Sequence, residues 1–293
     1  MTRKSWRDLH LGEEALGGLS AGIVGTVIGF PLDTVKTRMQ TGTTKAGSGI
    51  ITVARNVVKH EGFLSLYKGI GPPLISLSIL GTLTFTQYSY FQEVYQSDPG
   101  WDFRNYLAGI SCSPVAGMVS TIENLIKTQM QMDNVTKKEF QSSFHCVRTL
   151  TERHGMGIVY TGHGVNTLRE AVFLGNYFFV YEGLREFLIA NHWLHVQTAV
   201  PVAGGCSGAL AWFISFPLDC VRAGVQGQPL PAQNSAMEVT KRLIRDRGIR
   251  GLYSGASASI TRAFLVSGSR FSAYEFALFL LRGGRHYEGH HHK

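Results

Sequence analysis

Charge is what this chain has least of. Asp, Glu, Lys and Arg make up 16% of its 293 residues, against 44% hydrophobic residues. Soluble domains carry about a quarter charged residues, so the composition favours a protein that crosses a membrane several times. The 34 glycines point the same way, because glycine is commoner in spanning helices. A mean hydropathy of only +0.03 then requires long polar loops and helices that line a polar cavity. Cysteine is scarce as well. Cys112, Cys146, Cys206 and Cys220 lie far apart with no C-x-x-C, which excludes a disulfide framework or a zinc site and leaves buried thiols. No G-x-S-x-G, H-E-x-x-H, G-x-G-x-x-G or Walker loop occurs, so neither an enzyme nor a metal or cofactor site is expected. Met1 to His10 is basic and polar without an apolar leader, so targeting information is expected to be internal, and His290-His291-His292 reads as a solvated tail. The net charge of +8 suits anionic lipid better than nucleic acid, since the basic residues are spread through loops without an aromatic platform.

What the chain does have is a repeat. Phe30-Pro31-Leu32-Asp33-Thr34-Val35-Lys36 leads to Gln40, and Phe216-Pro217-Leu218-Asp219-Cys220-Val221-Arg222 leads to Gln226. A middle copy reads Ile122-Glu123-Asn124-Leu125-Ile126-Lys127 and leads to Gln131, without the proline and with an amide for the acid. Tyr67, Tyr160 and Tyr253 follow at equal spacing, each two residues before Gly69, Gly162 or Gly255. Such a triplication dictates the fold. The expected architecture is an all-α membrane protein: six transmembrane helices in three pseudo-threefold repeats, with three short surface helices. Spans are expected at Leu16–Met39, Gly71–Tyr95, Arg104–Met132, Gly164–Leu188, Val196–Gln228 and Ala256–Leu281. Surface helices are expected at Ser48–Lys59, Phe140–Arg153 and Ser235–Arg247. The repeats divide as 15–99, 100–192 and 193–282, between an extension at 1–14 and a tail at 283–293. Pro31 is expected to kink its helix. The long loops hold most of the Lys and Arg and the short loops only Arg104 and Arg185, which puts the long loops in the inner compartment and both termini outside.

The motif P-x-[DE]-x-x-[KR]-x-x-x-Q followed by [DE]-G-x-x-x-x-[YFW]-[KR]-G is met fully in repeat one and mostly in repeat three, with the damaged copy between them, and this threefold set between about Leu16 and Leu281 resembles the mitochondrial carrier family. The resemblance implies a barrel of six helices around a central cavity in the inner mitochondrial membrane, opening alternately to either side. It implies a matrix gate of Asp33, Lys36, Asn124, Lys127, Asp219 and Arg222, braced by Gln40, Gln131 and Gln226. Charges placed inside a membrane have to be paired or wetted, which suits that role. An outer gate would draw on Gln92, Glu182, Arg185 and Glu275, with Arg185–Glu275 and Gln92–Glu182 as its contacts. By the same resemblance substrate contacts fall at Ser76 with Leu77, at Arg169 with Glu170, and at Arg262, with Asn176, Ser269 and Arg270 as further candidates. Arg169-Glu170 is similar to the Arg-acid pair of carriers for amino acids and carnitine derivatives. An arginine grips a carboxylate bidentately and Glu170 attracts an ammonium, so the expected cargo is a small zwitterionic or cationic metabolite. Tyr67-Lys68-Gly69, Tyr160 with Gly162, and Tyr253 with Gly255 correspond to cardiolipin sites at helix N-termini.

Two alternatives remain at this level. Ile122, Asn124 and the thin outer network suit a carrier fold recruited as a structural subunit of a larger inner-membrane assembly, whereas a transporter would act as a monomer. A nucleotide carrier is disfavoured by Arg169-Glu170.

Overall fold

The computed structural model describes residues 4–41, 49–136, 139–191, 193, 196–262, 265, 266, 269 and 277. Nine helices run in chain order among the described residues: α1 Lys4–Gln40, α2 Ile50–Glu61, α3 Gly71–Tyr95, α4 Phe103–Ser111, α5 Ser113–Thr136, α6 Ser143–His154, α7 His163–Ala190, α8 Val196–Gln226 and α9 Ala236–Arg247. Residues 256–262 are also helical, and no strand occurs among the described residues. Short 3-10 turns at Phe63–Tyr67, Met156–Tyr160 and Ile249–Tyr253 occupy the same place in each repeat.

α1 and α8 run on through Pro31 and Pro217. Repeat two differs. The span expected over Arg104–Met132 is divided between α4 and α5 at Cys112. Pro114 has no N–H to offer the Ile110 carbonyl, and the Cys112 N–H turns instead to the Gly109 carbonyl at 3.2 Å. Repeat two thus lacks the proline of its motif and carries one higher in the helix. Here α4 and α7 come close: a Cβ on Gly109 would lie 2.5 Å from the Leu174 carbonyl oxygen. Ala108, Cys112, Leu174 and Phe178 fill the contact, and Tyr88 of α3 stacks on Phe178 with ring centroids 3.5 Å apart.

The surface helices share one construction. Each buries residues at i and i+4, namely Val53 and Val57, Cys146 and Leu150, Val239 and Leu243. Ser142 caps α6, and Ser235 with Glu238 closes a reciprocal capping box on α9. Their outer faces and the turns that follow expose Ile51, Phe63, Leu64, Phe144, Met156, Met237 and Ile249. Among the described residues, only Val202–Gln226 is long and apolar enough by composition to cross a membrane. Other long helices dilute their hydropathy with polar positions, as α1 does at Asp33, Thr34, Lys36, Thr37, Arg38 and Gln40.

The seams between repeats explain the three loop glycines. Gly69, Gly162 and Gly255 all have positive φ, at 91°, 76° and 86°. Each also abuts the first span of the next repeat, so that an added Cβ would lie 3.0 Å from Met130 of α5, 3.2 Å from Gln226 of α8 or 3.2 Å from the Lys36 carbonyl oxygen of α1. Backbone and space both demand glycine there, and the chain turns from surface helix to spanning helix against its neighbour.

Candidate functional site

Five charged residues toward the C-terminal ends of α1, α5 and α8 converge on one floor: Asp33, Lys36, Lys127, Asp219 and Arg222. Lys36 Nζ lies 2.6 Å from Asp219 Oδ2, joining repeats one and three. Lys127 Nζ lies 2.8 Å from Asp33 Oδ2, joining repeats one and two. Arg222 does not cross to repeat two. Its guanidinium folds onto Asp219 Oδ1 at 2.7 Å, one turn away in α8, and donates to Gln226 Oε1 at 3.0 Å. The reason is chemical: by the alignment of the repeats its counterpart in repeat two is Asn124, which offers no charge. Asn124 instead donates to Asn166 of α7 at 3.4 Å. Asn166 is fully buried and donates in turn to Ser120, Thr121 and the Gly117 carbonyl, tying α5 to α7 within one repeat.

The glutamines divide their work unequally. Gln40 Nε2 donates to Asp219 Oδ2 at 3.0 Å, directly beneath the Lys36 pair. Gln131 donates to Thr34 Oγ1, and Gln226 to the Thr161 and Thr121 carbonyls. Aromatic rings complete the lining, with Lys36 over Trp212 and Phe216 and Lys127 over Phe30.

Of the residues matched to substrate contacts, Arg262 reaches the floor. Its Nε stands 2.6 Å from Asp33 Oδ1, but the N–H is not aimed at that oxygen and finds no hydrogen-bond acceptor. Gly29 of α1 permits this approach, since a Cβ there would sit 3.1 Å from the same Nε. Arg169 pairs with its neighbour Glu170 at 2.6 Å and lies over the Phe173 ring. Asn176 and Ser269 turn back onto the Val172 and Val266 carbonyls of their own helices. Ser76 and Leu77 lie on α3 with side chains outside the described residues, as do Arg270 and Glu275 altogether. The expected Arg185–Glu275 contact therefore lies outside the described residues too. Arg185 pairs with Glu182 one turn below at 2.8 Å. Gln92 reaches Glu182 and donates to Tyr88 Oη at 3.0 Å and Asn105 Oδ1 at 3.2 Å.

At the positions matched to lipid sites, the Lys68 ammonium is paired with the buried Asp133 carboxylate, so its charge faces a protein partner. Tyr253 stacks on Phe216 beneath α8, and Tyr160 stands edge-on to His163. Sequence reasoning missed Arg262 as a second partner of Asp33 and Asn166 as the partner of Asn124. It also missed Gln129, which donates to the Gln226 and Gln228 carbonyls at 2.6 and 2.8 Å, and Arg247, which donates to the Met39 carbonyl at 2.9 Å. Aligning the repeats carries the signal: Gln129 stands where repeat one has Arg38, and Arg247 where it has Glu61, the two ends of a 2.8 Å ion pair there.

The model of the mitochondrial carrier protein family matches residues 7–99, 102–192 and 197–284, one match per repeat. A mitochondrial arginine transporter of Arabidopsis thaliana is 30% identical, over 91% of this chain and 90% of its own length. The human mitochondrial basic amino acids transporter is 27% identical over 92% and 90%, and human solute carrier family 25 member 45 is 28% identical over 91% and 98%. Three helical repeats that meet in one charged floor, each matched by the same family model and by transporters along nearly their whole length, make this chain an all-α member of the mitochondrial carrier family.

Proposed function

We propose that the protein carries a small zwitterionic or cationic metabolite, of the basic amino acid or carnitine type, across the mitochondrial inner membrane by alternating access. The observation that carries this reading is the contact between Arg262 and Asp33. Asp33 holds Lys127 on one oxygen and Arg262 on the other, so a gating carboxylate and a substrate-contact cation share a partner. A substrate carboxylate that takes Arg262 bidentately satisfies the guanidinium better than the misaligned contact does and leaves Asp33 with Lys127 alone. Ligand binding then favours the state in which the floor is open, as any coupled transporter requires. On the other side of the cavity, an ammonium drawn to Glu170 competes with Arg169 in the same manner. The arginine and basic amino acid transporters among the relatives agree with this class of cargo.

Cardiolipin fits as a structural lipid at the α7–α8–α9 seam. A cavity of about 410 Å³ there is lined by Val165, Leu168, Leu218, Val221, Met237 and Leu252, an apolar recess suited to an acyl chain beside the α7 N-terminus. The loop charges support an orientation with the surface helices in the matrix and both termini toward the intermembrane space.

Purified protein in cardiolipin liposomes is expected to exchange labelled arginine, lysine, ornithine or carnitine, and Arg262→Ala or Glu170→Ala is expected to abolish it. Saturable ADP/ATP exchange in place of these overturns the substrate class. A second reading, a structural subunit, is favoured by the diversion of Asn124 to Asn166, which leaves one gate position empty. No exchange of any solute, together with co-purification in a respiratory complex, would establish it.

A further inference from the structure

The floor ion pairs join repeat one to both neighbours, but among the described residues no ion pair joins repeats two and three. Beneath the floor lies another set of ties, one at every seam. Lys68 of repeat one pairs with Asp133 at the end of α5, a buried carboxylate that also accepts from the backbone N–H groups of Glu139 and Phe140. Gln129 of repeat two donates to two carbonyls at the end of α8. Arg247 and Ser254 of repeat three both donate to the Met39 carbonyl at the end of α1, each at 2.9 Å. Met39 follows Asp33 by under two turns, which at 1.5 Å per residue sets this layer about 9 Å below the ion pairs.

We infer that these three ties form a second lock on the same side, and that Gln129, Arg247 with Ser254, and Lys68 are positioning residues for the transport cycle. The inference rests on the alternating-access reading. Every acceptor is a group at or just past a helix C-terminus: three are main-chain carbonyls, of Met39, Gln226 and Gln228, and one is the Asp133 carboxylate, which holds the following loop. Separating the repeats on this side strands each of these acceptors, and a buried acceptor without a donor is costly. Gln129 matters most for symmetry, because it closes the seam that the ion pairs leave open. It does so with neutral groups, so that seam responds least to salt.

The test uses Cys220 as a native reporter. This thiol is fully buried between α8 and its neighbours, 3.6 Å from Gln40 Nε2 and 3.5 Å from the Ser254 carbonyl oxygen, between the two layers at the three–one seam. In the full-length protein, alkylation by an impermeant maleimide is followed peptide by peptide in mass spectrometry, with Cys146 on the buried face of α6 reporting global unfolding. Lys36→Ala, which opens only the upper layer, is expected to label Cys220 within about twofold of the native rate, and Lys36→Ala with Arg247→Met at least about tenfold faster, as loss of one charge-assisted hydrogen bond predicts. If the double variant exposes Cys146, Lys36→Ala with Ser254→Ala decides instead, with an intermediate rate expected. Full labelling in Lys36→Ala alone, or native protection in the double variants, overturns the second lock. Because labelling needs no substrate, its result stands apart from that of the exchange assay.

Discussion

Removing the acid at the floor should hurt more than removing the base opposite it. Asp33 serves two cations, Lys127 and Arg262, whereas Lys127 serves Asp33. Asp33→Asn keeps the volume but turns an amide N–H₂ toward one of two cations and leaves both uncompensated. A hydrogen bond to a charged group is worth about 1.5–3 kcal/mol, and breaking a buried pair from one side costs more than its net worth. The Arg262 side chain is 32% exposed and its N–H is misaligned, so its share is the smaller one. The closed floor should therefore lose about 2–3 kcal/mol in Asp33→Asn but only about 1–2 kcal/mol in Lys127→Ala, where Asp33 keeps Arg262. In populations this is about 30- to 150-fold more opening against about 5- to 30-fold. Hydrogen–deuterium exchange of the last turns of α1 and α5 reads this directly, since amides there exchange through opening. If Lys127→Ala deprotects these turns as much as Asp33→Asn does, Arg262 contributes nothing to the closed floor and the proposed coupling of cargo to gate fails.

Asn124→Asp should return an acid to the seam facing Arg222 at the expense of one long amide contact, and the melting temperature in detergent should rise at low salt and fall back as salt is added. An unchanged or lower value would mean that Arg222 cannot turn from Asp219. Glu238 is held below the usual carboxylate range by its hydrogen bonds to the Ser235 backbone and hydroxyl, so its capping contribution is present at neutral pH and disappears as pH falls through its depressed pKa. Protection of the amides at the start of α9, relative to their intrinsic exchange rates, should fall at acid pH, and Glu238→Gln should blunt that change. Burial pushes the Cys146 thiol up to about 12, and the protein should leave it unmodified by iodoacetamide at pH 8 while remaining folded.

The repeats and the surface helices are readable from spacing, because each is a local pattern copied three times, while the meeting of Asp33, Lys36, Lys127 and Asp219 follows from the resemblance to the carrier family. Boundaries moved by a few residues at α2 and α6, where helix ends fray. The break at Cys112 has a sequence signal in Pro114, whose missing N–H leaves the Ile110 carbonyl without its helical donor. The partner of Arg222 has none. Once Asn124 removes an acid, the guanidinium chooses between a distant neighbour and its own helix, and that choice depends on distances no single segment contains. Arg262 was assigned to cargo by its register, while its contact with Asp33 follows from Gly29 letting α1 come close. Gln129 and Arg247 break the repeat at the positions of Arg38 and Glu61, so a pattern defined by the positions the copies share does not contain them.

At the floor, Asp33 and Asp219 between them answer to Lys36, Lys127, Arg222 and Arg262. The floor thus carries more positive than negative side chains, and under the proposed function an amino acid arriving from the mouth would descend carboxylate first. Its side chain trails upward, away from the floor. Discrimination among cargoes of this class then belongs to the walls nearer the mouth, so exchanging wall residues should change which amino acid is chosen while leaving the grip on its backbone carboxylate as it is.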